Sequence, residues 1–136
     1  MQAKTLRIVV AEDDDQLAEL VTSLLSEDSR FEVVGRGRTG DEAVELASEH
    51  RPHIVLMDLS MPGCDGVEAT RLIRSLNPDQ LVVIYTGSGD YDDVGRAQDA
   101  GASGFLHKDA LTSGEIGDAL DVLHRNHLRR DDTFEE

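Results

Sequence analysis

The sequence contains few of the residues that covalent cross-links and large aromatic cores require. Among its 136 residues are one cysteine, three prolines, five aromatic side chains and no tryptophan. A lone cysteine, Cys64, excludes an intrachain disulfide and suits a reducing compartment. We therefore expect a single cytoplasmic domain stabilised by an ordinary apolar core, which a chain of this length can build.

Positive charge and long apolar runs are also scarce. Asp and Glu number 28 against 13 Lys and Arg, so the formal net charge is -15, and the only lysines are Lys4 and Lys108. Nucleic acids and anionic membranes are bound through clustered basic side chains, so neither is an expected partner of this segment. No stretch approaches the roughly 20 apolar residues of a membrane span, and the N-terminus lacks the apolar run of a signal peptide.

Five apolar segments alternate with amphipathic ones. The apolar segments predict buried strands at residues 6–11, 31–37, 53–57, 81–85 and 104–107. Helices are predicted between them from apolar residues at helical spacing and from capping patterns such as Thr39–Glu42 and Asp65–Glu68. This alternation predicts an α/β fold in which helices cover both faces of a doubly wound parallel sheet.

Polar residues stand where the predicted strands end. Glu12 and Asp13 follow the first strand, Asp58 the third, Thr86 the fourth and Lys108 the fifth. A single acidic residue in a loop is most often a helix cap or a solvated charge. Ligands of such sheets, however, bind at the carboxyl ends of the strands. Three carboxylates gathered there would repel one another unless a cation joined them, and oxygen ligands suit Mg²⁺.

The ordered motifs resemble the receiver domain of two-component response regulators. The stretches that match are residues 10–13, 54–66, 83–87 and 100–108, and the resemblance covers about residues 5–125. It implies the flavodoxin-like receiver fold, a five-stranded parallel sheet in the order 2-1-3-4-5 with about five helices. Residues 1–125 would form the receiver domain. Residues 126–136 show no periodicity and are expected to form a flexible C-terminal tail or linker.

The resemblance implies a role for each polar strand end. Asp58 would be the phosphoacceptor, a carboxylate nucleophile that forms an aspartyl phosphate. Glu12, Asp13 and Asp58 would hold Mg²⁺ together with the backbone carbonyl of Ser60. Lys108 would pair with Asp58 and then with a phosphate oxygen. The protein would catalyse only its own phosphorylation and dephosphorylation, and would not be an enzyme acting on other substrates.

The resemblance also implies a switch and its partners. The Thr86 hydroxyl would move onto the phosphate, and Phe105 would turn inward as it does so. Phenylalanine has no hydrogen-bonding group, so this switch would rest on packing alone. The phosphate would come from a sensor histidine kinase or a phosphotransfer protein, and the face of the fourth helix and fifth strand could support a homodimer. Asp109 after Lys108 is similar to receivers that precede helix-turn-helix output domains.

Other functions remain open. Phe105 and Asp109 also fit a pseudo-receiver, an interaction module that works without phosphorylation and need not bind Mg²⁺. A Mg²⁺-dependent phosphatase would show multiple turnover. A phosphate-cradling loop at residues 86–89 is disfavoured, because the acidic residues after the first strand would repel a cofactor phosphate. His124 and His127 could form a metal pair, although satisfied or exposed histidines are far commoner.

Overall fold

Strands and helices alternate along the chain in the order that the sequence predicts. A computed structural model describes residues 5–59, 61, 65–87, 91–110 and 114–134. In chain order the elements are β1 (Leu6–Ala11), α1 (Asp15–Ser26), β2 (Phe31–Gly37), α2 (Gly40–His50), β3 (Ile54–Asp58), α3 (Gly66–Leu76), β4 (Leu81–Thr86), α4 (Tyr91–Ala100), β5 (Gly104–His107) and α5 (Ile116–Phe134). None of the described helices combines the length and apolar character needed to cross a membrane.

The five strands form one parallel sheet in the order β2-β1-β3-β4-β5, which confirms the predicted topology. The predominantly apolar strands β1, β3 and β4 lie in the centre, where helices cover both faces of the sheet. β2 is mostly half-exposed and lies at one edge. The strand order reverses between β1 and β3, so the carboxyl ends of these two strands flank the crevice in which such sheets bind ligands.

Two separate apolar cores hold the sheet, because alternate residues of a strand point to opposite faces. Val9 of β1 belongs to the core beneath α2, α3 and α4, whereas its neighbour Ile8 belongs to the core beneath α1 and α5. The side chains of both residues are fully buried. The strand ends are therefore fixed by packing from both sides, and the polar residues that follow them have defined positions.

Three polar side chains cap the helices that they precede. The Thr39 hydroxyl accepts the N–H of Glu42 at 3.1 Å, and the Asp65 carboxylate accepts the N–H of Glu68 at 2.9 Å. These two bonds confirm the predicted caps of α2 and α3. Asp14 caps α1 in the same way, with bonds of 2.9 and 3.2 Å to backbone N–H groups of the first turn. Part of the acidic charge after β1 is therefore structural.

The last helix is longer than the sequence predicts. α5 continues to Phe134, through most of the segment expected to be a flexible tail. Residues 126–134 contain neither glycine nor proline, and Arg125 pairs with Asp121 one turn earlier at 3.2 Å. A ring nitrogen of His127 also lies 2.8 Å from the backbone carbonyl oxygen of Asp79. Residues 126–134 are therefore helical, while the domain boundary at residue 125 and the flexibility of the segment after it stay predictions.

Two histidine rings meet where α5 covers the amino ends of the strands. The rings of His53 and His124 lie 5.8 Å apart and nearly perpendicular, at 87°. His53 Nδ1 accepts the backbone N–H of Arg7 at 2.9 Å. Within the described ranges, the only group of three or more potential metal ligands is the acidic one at the opposite edge of the sheet. Among the described residues, the fold therefore places no third metal ligand beside His124 and His127, the possible metal pair.

We expect stability to fall with acidification in the range where His124 titrates. The pKa of His124 is lowered from its ordinary 6.5 by burial and then by the nearby rings of His53 and His127, against a smaller opposing effect of Asp121. The unfolded chain therefore binds this proton more readily than the folded one. The stability that comes from keeping His124 neutral is fully present above about pH 6.5. It is lost as the pH falls through the folded-state pKa of His124.

Urea unfolding between about pH 5 and pH 8 tests this expectation. His124→Gln should flatten the loss of stability on acidification, because the glutamine cannot be protonated. Asn126→Gln is a matched control, a neutral change at an exposed position of the same helix, and should keep the wild-type profile. An unaltered profile in His124→Gln would contradict the prediction.

Candidate functional site

Three carboxylates meet at the carboxyl ends of β1 and β3. Glu12 and Asp13 directly follow β1, and Asp58 is the last residue of β3. One oxygen from each side chain lies within 4.8 Å of the others. β1 and β3 are hydrogen-bonded neighbours, with Ala11 opposite Met57, so their ends share one edge. The structure thus brings together the three carboxylates that the sequence singles out.

The carboxylates differ in their exposure. Glu12 is 1% exposed and Asp58 is 3% exposed, whereas Asp13 is open to solvent. Burying two anions side by side is costly unless opposite charge compensates them. The arrangement therefore requires nearby cations, and its open side at Asp13 leaves an entry for one.

Lys108 supplies one of these positive charges. Its Nζ lies 3.4 Å from Glu12 Oε1 and 3.5 Å from Asp58 Oδ2, so the two buried carboxylates share one ammonium group. The Lys108 backbone N–H donates to the carbonyl oxygen of Thr86 at 3.0 Å, which holds the end of β5 against the end of β4. The described residues contain no cis peptide bond, so the Lys108–Asp109 bond is trans. Three carboxylates and one ammonium leave two negative charges, which a divalent cation would balance.

The other predicted site residues take different positions. Thr86 ends β4 and is half-buried. Phe105 on β5 is also half-buried and packs against the core beneath α2, α3 and α4. Ser60, expected to offer its carbonyl to the metal, lies outside the described residues.

Tyr85 belongs to the pocket although no role for it is evident from the sequence. Its hydroxyl donates to Glu12 Oε1 at 2.7 Å, and its side chain is 1% exposed. The ammonium of Lys108 lies over its ring, 5.2 Å from the centroid. A tyrosine within an otherwise apolar strand is the signal that could have revealed this contact, because a buried hydroxyl needs a hydrogen-bond partner.

Arg36 supports the pocket from β2. Its Nε and Nη2 donate to the backbone carbonyl oxygen of Glu12 at 2.9 and 2.7 Å, and its Nη1 pairs with Asp15 at 3.0 Å. The Glu12 backbone N–H donates to the Gly37 carbonyl at 3.0 Å. The main chain of Glu12 is therefore held at both its N–H and its C=O, and the side chain enters the pocket from a fixed position.

Hydrogen bonds keep Glu12 anionic in spite of its burial. Burial alone would raise its pKa, but the Tyr85 hydroxyl, the Asp14 N–H and the Lys108 ammonium together hold the pKa of Glu12 below its ordinary value. Burial and the neighbouring carboxylate of Glu12 raise the pKa of Tyr85, so its hydroxyl remains a donor at neutral pH. A charged acceptor and a protonated donor therefore face each other inside the pocket.

The donor set fits Mg²⁺. All three side chains offer carboxylate oxygens, the type of ligand that Mg²⁺ prefers, and few protein ligands suffice because the ion keeps several waters. The exposed position of Asp13 provides room for such waters. Glu12, Asp13 and Asp58 are therefore the described residues that could hold the ion.

Known proteins share both the sequence pattern and the fold. The family model of the response regulator receiver domain matches residues 8–121. The transcriptional regulatory protein LnrK of Bacillus subtilis strain 168 is 38% identical over 119 residues, which cover 88% of this chain and 54% of LnrK. The response regulator protein VraR of Staphylococcus saprophyticus is 33% identical over 121 residues, covering 89% of this chain and 57% of VraR. The chain thus spans about half the length of these relatives.

Solved structures extend the likeness to three dimensions. A LuxR-family two-component response regulator from Aurantimonas sp. SI85-9A1 superposes with a TM-score of 0.83 at 31% identity, covering 90% of this chain and 87% of that one. The signal receiver domain of the putative response regulator NarL from Mycobacterium tuberculosis gives a TM-score of 0.81 at 31% identity, covering 89% and 98% of the two chains.

Proposed function

Since the chain belongs to the family of response regulator receiver domains of two-component systems, we propose that it accepts a phosphoryl group on Asp58 in a Mg²⁺-dependent reaction. The observation that carries this proposal is the surroundings of Asp58. It is a nearly inaccessible carboxylate that lies beside an ammonium at 3.5 Å and beside two further carboxylates suited to a divalent cation. This is the chemistry that an aspartyl phosphate requires.

The proposed reaction is a direct transfer. A carboxylate oxygen of Asp58 forms a bond to phosphorus, while the bond from phosphorus to the imidazole nitrogen of a phosphohistidine donor breaks and its electron pair leaves with the imidazole. Lys108, already close to Asp58, would pair with an oxygen of the transferred group. When bound by Glu12, Asp13 and Asp58, Mg²⁺ supplies positive charge that offsets the charge of that group. The metal contact of the Ser60 carbonyl remains part of this proposal.

The proposed response involves Thr86 and Phe105. The phosphoryl group adds about -1.5 to -2 charge and strong acceptor oxygens at the end of β3, which would attract the Thr86 hydroxyl. Thr86 accepts the backbone N–H of Lys108, so a change at β4 would reach β5, on which Phe105 is half-buried. Repacking of Phe105 would alter the face formed by α4 and β5, where a second copy or another protein could bind.

The remaining parts of the proposal concern partners and place of action. A sensor histidine kinase or phosphotransfer protein would supply the phosphoryl group, and the reaction would take place in the cytoplasm. The net charge of -15 argues against nucleic acid contacts by this segment. We propose no enzymatic activity beyond the protein's own phosphorylation and dephosphorylation. The phosphorylation-independent alternative is less well supported, because Asp58 and Lys108 are both present and close together.

Mass spectrometry of the intact protein tests the proposed function. After incubation with acetyl phosphate and Mg²⁺, the protein should gain a single phosphoryl group, and peptide mapping should place it on Asp58. A chelator added before the phosphodonor should prevent the gain, because Glu12, Asp13 and Asp58 would then be left without their cation. Modification of a different residue, or no modification with Mg²⁺ present, would refute the proposal.

A further inference from the structure

Tyr85 links the two charged partners of Asp58. It lies opposite Asp58 in the register of β3 and β4, and its ring belongs to the core beneath α1 and α5. From there the hydroxyl reaches Glu12 at 2.7 Å, while the ring lies beneath the ammonium of Lys108 at 5.2 Å. One buried side chain thus contacts both the carboxylate of Glu12 and the ammonium of Lys108, the two charged groups beside the candidate phosphoacceptor.

The two oxygens of Glu12 are used differently. Oε1 lies 2.7 Å from the Tyr85 hydroxyl and 3.4 Å from Lys108 Nζ. Oε2 accepts the backbone N–H of Asp14 at 3.1 Å. The Tyr85 hydroxyl and the ammonium of Lys108 therefore converge on the same oxygen, Oε1. The hydroxyl of Tyr85 thus offsets part of the charge that Glu12 presents to Lys108 and to a cation.

The ammonium of Lys108 lies between the carboxylates of Glu12 and Asp58. Its distances to Glu12 Oε1 and Asp58 Oδ2, 3.4 and 3.5 Å, are almost equal. The Tyr85 hydroxyl donates to the same Oε1 and offsets part of its charge. Without that hydroxyl, Glu12 would attract the ammonium more strongly and draw it away from Asp58.

We propose that Tyr85 is a positioning residue, whose hydroxyl binds Glu12 Oε1 and thereby keeps Lys108 within reach of Asp58. This inference deepens the proposed function and rests on it for the consequence at Asp58. The hydroxyl also weakens cation binding, because it offsets part of the negative charge of Glu12 that would otherwise act on the cation. It favours acceptance of an anionic phosphoryl group, because the ammonium of Lys108 stays beside Asp58.

Tyr85→Phe separates these effects, because phenylalanine keeps the ring under Lys108 and removes only the hydroxyl. We expect the dissociation constant for Mg²⁺, measured by calorimetry without phosphodonor, to decrease about fivefold. The rate of phosphoryl uptake from acetyl phosphate at saturating Mg²⁺ should fall about tenfold. General damage to the pocket would instead weaken both properties together.

Tyr91→Phe is the matched control, because it removes the hydroxyl of the only other tyrosine. It should leave both the Mg²⁺ affinity and the uptake rate at their wild-type values. The chain has no tryptophan, so Tyr85 is the sole emitting side chain of this variant apart from phenylalanine. The fluorescence of Tyr85 should therefore change on Mg²⁺ addition, with the same midpoint that calorimetry gives. The reason is that the cation binds Glu12, whose carboxylate accepts the Tyr85 hydroxyl.

The two readouts keep this inference distinct from the proposed function. If the wild-type protein takes up no phosphoryl group, the proposed function fails, while the Mg²⁺ titration still decides the role of Tyr85. An Mg²⁺ affinity that is unchanged or weaker in Tyr85→Phe would overturn the inference. An unchanged uptake rate in that variant, with an active wild-type protein, would overturn it as well.

Discussion

Asp58→Asn should lose phosphoryl uptake, with a decrease in rate on the order of 10³-fold or more. Asparagine has nearly the same shape as aspartate, but its uncharged amide is not a nucleophile and cannot form the acyl phosphate. The substitution also removes one of the two buried carboxylates that share Lys108. We therefore expect the fold to persist while the chemistry disappears. A time course of intact mass with acetyl phosphate and Mg²⁺ measures the effect.

Asp99→Asn is the matched control for this experiment. Asp99 is exposed on α4, so the variant makes the same chemical change and the same change in net charge away from the pocket. It should take up phosphate at the wild-type rate. If Asp58→Asn were phosphorylated as quickly as this control, the acceptor would be another residue and the assignment of Asp58 would be wrong.

Gly66→Ala should cause the largest loss of stability among the substitutions that we consider, about 3 kcal/mol in the free energy of unfolding. A methyl group at this first residue of α3 would overlap the carbonyl oxygen of Asp58 and lie 2.8 Å from Leu59 Cα. Both contacts are with backbone, which cannot move aside as a flexible side chain can. The Gly66 N–H also donates to the Leu59 carbonyl at 3.2 Å, so α3 and the end of β3 are already in close contact.

This clash bears directly on the phosphoacceptor. Relieving it would shift the backbone that carries Asp58, and a small displacement of a reacting group is costly in rate. Phosphoryl uptake by the folded fraction should therefore fall by at least about tenfold. Urea unfolding gives the stability, and the uptake assay at a temperature where the variant is folded gives the rate.

Gly95→Ala provides the contrast on α4. An added methyl group at Gly95 meets nothing within 4 Å, and alanine favours a helix interior over glycine. We expect the stability to increase by about 0.5–1 kcal/mol, with an unchanged uptake rate. Similar destabilisation of both variants would show that the close approach of α3 to Asp58 is not what makes Gly66→Ala harmful.

The sequence by itself determined the features that depend on neighbouring residues. Apolar runs identified the central strands β1, β3 and β4, because strands buried on both faces need apolar side chains at consecutive positions. Thr39 and Asp65 revealed two helix starts, since a cap bonds to a backbone N–H only three residues away. The polar residues after each strand were visible for the same local reason. The strand order came from the family resemblance.

The tertiary structure decided how those strand ends meet. The contact of the Tyr85 hydroxyl with Glu12 joins residues 73 positions apart, and no local pattern encodes it. The nearly equal distances from Lys108 to Glu12 and Asp58 depend on the packing of four strands, from β1 to β5 across the sheet. The extension of α5 to Phe134 likewise involves His127, which meets a backbone carbonyl before β4. Local chemistry thus supplied the charged groups, and only the folded chain determined which of them share a hydrogen bond.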